Sequence, residues 1–100
     1  MAVDTTFLAK VKTALRVSFT DTAIDNQISD LIEAAILDLS ETADIKSFTT
    51  SNADALQTDA VIAYVKYRWF DDEKFFKAYN DMKDKMAVSG KYRSVMVNEE

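Results

Sequence analysis

Apolar residues recur along this chain at the three- and four-residue intervals of a helix, in four blocks separated by short polar breaks. The first block puts Phe7, Leu8, Val11 and Leu15 on one face and predicts a helix from Thr5 to Arg16, with Asp4 as N-cap. Val17-Ser18-Phe19-Thr20 interrupts it with two β-formers and two residues that bond locally to the backbone. The second block, Thr22 to Glu41, carries a stripe of Ile24, Ile28, Leu31, Ile32, Ala35 and Leu39. Asp21 or Thr22 caps its start, and Asp25 lies near the positive end of its dipole. Residues 42–53 read as a loop anchored by Ile45 and Phe48, with Thr49-Thr50-Ser51-Asn52 as its most mobile part.

Asp54 and Gln57 have the spacing of a capping box, which opens a third helix over Ala55–Phe70. Its apolar residues (Leu56, Ala60, Val61, Ile62, Tyr64, Val65, Tyr67, Trp69 and Phe70) cover more than one face, as a central helix requires. Asp71-Asp72-Glu73 break that run and start a fourth helix to Val88, with Phe75, Phe76, Tyr79, Met82 and Met86 as its buried stripe. Gly90 stands where a left-handed C-cap is wanted. The expectation is an all-α, four-helix bundle-like domain over residues 1–90 with a C-terminal tail, 91–100.

Composition removes most chemistry. One hundred residues, 48% of them hydrophobic, are enough for one domain with a modest core. There is no Cys and no His, so thiol nucleophiles, thiolate metal sites and the usual catalytic base are missing. A Ser nucleophile would need Lys as its base, and no Ser-x-x-Lys occurs. A single Gly cannot build a phosphate cradle. Asp71, Asp72 and Glu73 form the densest carboxylate group, but acids in a first helical turn answer the macrodipole without a ligand. No enzyme activity, catalytic residue, metal or cofactor is expected. The longest apolar run, Ala60 to Val65, is far short of a membrane span, and Asp4, Lys10 and Lys12 stand where a signal peptide is apolar. The expected compartment is the cytoplasm in which the chain is made.

Charge changes the picture by its distribution. Residues 17–45 hold seven acids and no base, against a net charge of −5 for the whole chain. Asp30, Glu33, Asp38 and Glu41 share the face opposite the second apolar stripe, with no basic neighbour along the helix. An acidic total opposes non-specific attraction to DNA. Tyr64, Lys66, Tyr67, Arg68 and Trp69 interleave bases and aromatics as a single-strand binder does, but helical spacing scatters Lys66 and Arg68, and packing is the favoured role. Trp69 and Phe70 at a helix end, and Tyr92, Arg93, Val95, Met96 and Val97 in the tail, are the interface candidates. For the tail, docking on another chain is favoured over folding back.

Leu8-Ala9-Lys10-Val11-Lys12-Thr13-Ala14-Leu15-Arg16 opens the chain, and Asp30-Leu31-Ile32-Glu33-Ala34-Ala35 sits in the second helix. Ala60-Val61-Ile62-Ala63-Tyr64-Val65-Lys66 is followed by Asp71-Asp72, then Phe76-Lys77-Ala78-Tyr79 runs into Met86-Ala87-Val88-Ser89-Gly90-Lys91-Tyr92-Arg93. Over residues 5–93 this pattern resembles the tailed-bacteriophage head–tail connector family, although Pro, frequent around the inter-helix loops of such sequences, is absent. The resemblance implies a structural virion protein of the head–tail junction, assembled in the bacterial host cytoplasm and without catalysis. Subunits would form a homo-oligomeric ring matching the portal's twelvefold symmetry, from chains that are monomeric in isolation. One face of the ring would meet the portal protein and the other a tail-completion or stopper protein. DNA would pass through the lumen unbound, completing the head after packaging, and no membrane is involved. Under this reading Asp30, Glu33, Asp38 and Glu41 line the lumen or the outer wall, because an attractive wall would stall the polymer. The competing classes are a small helical DNA-binding regulator and another phage or prophage assembly partner, scaffold or toxin–antitoxin component. The regulator needs an exposed basic and amide face on its reading helix, and the third helix is mostly aliphatic and aromatic.

Overall fold

The polar breaks become helix caps in the computed structural model, which describes residues 3–18, 21–42 and 48–92. Among these residues the chain forms α1 (Thr5–Leu15), α2 (Thr22–Thr42), α3 (Ala55–Phe70), α4 (Glu73–Val88) and a 3-10 turn over Gly90–Tyr92. Short acidic side chains satisfy the orphan N–H groups at each start. The Asp4 carboxylate accepts from the Phe7 N–H at 3.3 Å, and Asp21, not Thr22, accepts from the N–H groups of Ala23 and Ile24. Asp54 and Gln57 close the capping box with two reciprocal bonds of 2.9 Å. Asp72 accepts from the Lys74 N–H at 3.1 Å.

The helix ends depart from the sequence reading. With one glycine in the chain, the left-handed positions after α1 and α3 fall to Arg16 (φ 63°) and Asp71 (φ 54°). Gly90 is not left-handed; Ser89 caps α4 in extended backbone, and the Tyr92 N–H bonds the Ser89 carbonyl at 3.2 Å. A left-handed cap would end the helix and release the chain. The 3-10 turn instead brings the Tyr92 ring back under the bundle, where it is buried. Thus the first two residues assigned to the tail belong to the fold.

The all-α expectation stands, and α3 is the central helix, packed against α1, α2 and α4. The core gathers Phe7, Val11 and Leu15 from α1, Ile28, Ile32, Ala35, Ile36 and Leu39 from α2, and Ala60, Val61, Ala63 and Val65 from α3. Tyr79 and Met86 of α4, with Phe48 and Tyr92, complete it. Two details of the apolar stripes differ. Ile36 joins the core of α2 while Leu37 beside it stays 54% exposed. Phe76, placed in the buried stripe of α4, is 39% exposed, because α4 packs on α3 through Tyr79 and Met86 and leaves Phe76 at the margin against Tyr67.

The loop before α3 is tied down where greatest mobility was expected. Thr50 is buried and its hydroxyl accepts from the Asp4 N–H at 2.8 Å, joining the loop to the start of α1. Asn52 accepts from the Thr49 N–H at 3.0 Å, a side-chain bond that closes the turn locally. Phe48 anchors the loop in the core as expected, and Ile45 lies outside the described residues.

Candidate functional site

The acidic face of α2 is not uniform. Asp30 and Glu41 are exposed and Glu33 is half-buried. Asp38 differs, since α4, packed on α3, brings the Tyr79 hydroxyl and the Lys83 ammonium, at 3.3 Å, onto its Oδ2. Burial and the bond to Asp38 hold the Tyr79 hydroxyl protonated far above tyrosine's usual range. The carboxylate thus closes the polar tip of a fully buried ring, which could not be left unpaired without cost. Asp38, expected on a lumen or outer face with Asp30, Glu33 and Glu41, keeps 31% of its side chain exposed while making these contacts. Its neighbours along α2 offer no base, and the partners come from a helix about forty residues later in the chain. Asp25 likewise pairs across elements, with Lys12 of α1 at 2.8 Å.

The two ends of α3 hold the interface candidates. At its start, the N-cap Asp54 accepts from three sources. Its Oδ1 takes the Gln57 N–H, and its Oδ2 takes the Tyr92 hydroxyl at 2.7 Å and lies 3.3 Å from the Lys91 ammonium. Burial acts to raise this carboxyl, but the Gln57 N–H, the Tyr92 hydroxyl and Lys91 together outweigh it and hold it below the ordinary 3.8. Bonding to Asp54 in turn raises both Lys91 and Tyr92. Tyr92, a sequence candidate for contact with a partner, is therefore 8% exposed and occupied within its own chain. Arg93, Val95, Met96 and Val97 lie outside the described residues.

At the other end, Trp69 is half-buried against the core and Phe70 is 48% exposed. Trp69 lines an open groove of about 460 Å³ with Gln27, Asp30 and Leu31 of α2 and Arg68 of α3. The structure thus brings together Trp69 and Asp30, which the sequence assigned to separate surfaces. Arg68 bonds the Tyr64 hydroxyl at 3.0 Å along its own helix and lies over the Tyr64 ring. Beyond the groove, Phe70 meets Phe75, Tyr67 meets Phe76, and Lys66 and Lys74 sit over the Phe75 ring, an aromatic margin with a basic edge. Gln27 was not singled out from sequence; Leu31 was expected in the apolar stripe of α2, and Arg68 as a scattered base among packing aromatics. The one signal was the breadth of the α2 stripe, whose Leu31 lies at the edge and is only partly covered.

Among the described residues no group of three or more Asp or Glu could hold a metal ion, and no helix is long and apolar enough to cross a membrane. The geometry offers packing surfaces and ion pairs. Residues 7–93 match the family model described as phage connector protein. No curated protein and no solved structure matches the chain.

Proposed function

This chain belongs to the phage connector protein family, and from that premise we propose that it is a structural virion protein forming a ring between portal and tail. The ring completes the head after DNA packaging, contacts the portal protein on one side and a tail-completion or stopper protein on the other, and leaves a passage for DNA. The family match over nearly the whole domain carries this reading. The charge map is consistent with it: Asp30 and Glu41 are exposed on α2, and an acidic wall repels phosphate. The chemistry assigned to the protein is therefore assembly, without catalysis.

The competing reading as a DNA-binding regulator loses support from α3, whose Ala60, Val61, Ala63 and Val65 are buried against three other helices. A helix enclosed in this way has no free basic face to lay in a groove of DNA.

Electron microscopy of assembled particles tests the proposal. Ring density that fits this fold at the capsid–tail junction is the expected result. Particles in which the junction holds no such density overturn it. Replacing Glu41 with Lys tests the charge assignment, with Asp38 left intact because it supports Tyr79 and Asp30 left intact because it lines the groove beside Trp69. The reversed chain is expected to retain DNA in a salt-sensitive way and slow its ejection. Ejection at the usual rate removes the lumen assignment.

A further inference from the structure

We infer that the groove between α2 and the end of α3 receives residues 93–100 of a second copy of this chain, so that each copy docks its tail on the next. The inference rests on the ring reading and adds the receiving surface and the segment that fills it.

Complementarity is the first support. The groove is lined by the apolar Leu31 and Trp69 together with an anion, Asp30, and a cation, Arg68. Phe70, next to Trp69 at the helix end, is 48% exposed. The segment Arg93-Ser94-Val95-Met96-Val97-Asn98-Glu99-Glu100 carries the complementary set: one cation, three apolar residues, two acids. Arg93 suits Asp30, Val95 to Val97 suit Leu31 and Trp69, and Glu99 or Glu100 suits Arg68. Trp and Arg are also the residue types that most often anchor an interface.

Reach decides whose tail it is. Tyr92 is held at Asp54, the start of α3, while the groove lies at the far end of that helix. Fifteen helical steps from Asp54 to Trp69 amount to about 22 Å at about 1.5 Å per residue. Val95 to Val97 are three to five residues past Tyr92, so they extend at most about 18 Å at about 3.6 Å per residue. In the register that sets Arg93 against Asp30 and Val95 to Val97 against Leu31 and Trp69, a tail anchored at its own Asp54 falls short of its own groove but can enter that of an adjacent copy. Because one end of a chain then meets the other end of the next, the contact is heterologous, the kind that closes into a ring. The bonds of Tyr92 and Lys91 to Asp54 fix where the tail departs, which lowers the entropy lost when it docks.

The absence of Cys makes a clean test available. A full-length Met96→Cys chain is mixed, under mild oxidation, with a full-length Gln27→Cys chain, or with an Asp84→Cys chain as an exposed control on α4. Expected is heterodimer forming about tenfold faster with Gln27→Cys than with the control, the factor that a preference of about 1.4 kcal/mol gives. Asp30→Arg in the groove chain should remove that advantage, and Arg93→Asp in the tail chain should restore it. Equal rates for the two partners overturn the inference. So does a doubly substituted chain, Gln27→Cys with Met96→Cys, that closes on itself as a monomer. Particles that show the junction ring but no groove–tail cross-link overturn the tail docking alone and leave the ring reading standing.

Discussion

The start and the end of α3 solve the same problem, a helix terminus near the surface, in opposite ways. At the start the chain covers itself: Asp54 is closed by Gln57, Tyr92 and Lys91, and the Tyr92 ring is buried. At the end the helix stops on a left-handed Asp71 and leaves Phe70 exposed beside an open groove. One terminus is sealed by residues from the same chain, and the other is left to whatever binds there. On the proposed reading the sealed end sets stability and the open end association, so substitutions at the two should separate folding from binding.

The largest expected effect is Tyr92→Ala at the sealed end. It removes a buried aromatic and its bond to Asp54, and thermal or urea unfolding should report a loss of about 3–5 kcal/mol, a large share of what a domain of this size holds. Deleting residues 93–100 while keeping Tyr92 should leave helical circular dichroism and melting unchanged yet abolish binding to neighbour or portal. Asp54→Ala comes next. Loss of an N-cap costs about 1–2 kcal/mol, and the same variant frees the Tyr92 hydroxyl and Lys91, so protease cleavage near the chain's end should also quicken.

Titration probes that end without mutation. Asp54 sits below the ordinary 3.8, so the stability it supplies is present above that value and drains away as pH falls through its lower folded value. Tyr92 and Lys91 sit above the ordinary 10.0 and 10.5, so their share is complete below those values and is lost as pH rises through their folded ones. Melting temperature against pH should therefore have a plateau between these limits, and Asp54→Ala should flatten its acid edge. The smallest effects belong to the open end. Asp71→Gly relieves a left-handed non-glycine residue and should raise stability by about 0.5 kcal/mol. Phe70→Ser should change stability by no more than about 0.5 kcal/mol, the usual range for a surface site, while weakening self-association measured by sedimentation.

Local rules were legible along the chain because they act over a few residues. Asp4 and the Asp54–Gln57 box need only their own turn, and α3 begins and ends where the apolar run does. The exclusion of Cys and His chemistry was equally a matter of counting. Phe76 was misplaced because helical spacing gives the direction of a stripe and not its width, which the angle of α4 on α3 decides. Gly90 was misread because a glycine permits a left-handed cap without requiring one, and burying Tyr92 drew the backbone elsewhere.

The sequence by itself determined the helices, their starts, the central role of α3 and the acid-rich character of α2, since each follows from side chains three or four positions apart. Tertiary structure alone decided which charges are spent and which remain. Asp38 and Tyr79, Asp54 and Tyr92, and Asp30 and Trp69 meet only when helices distant in the chain pack together. The physical reason is range: a helical period fixes a face, but only packing between helices sets what that face meets.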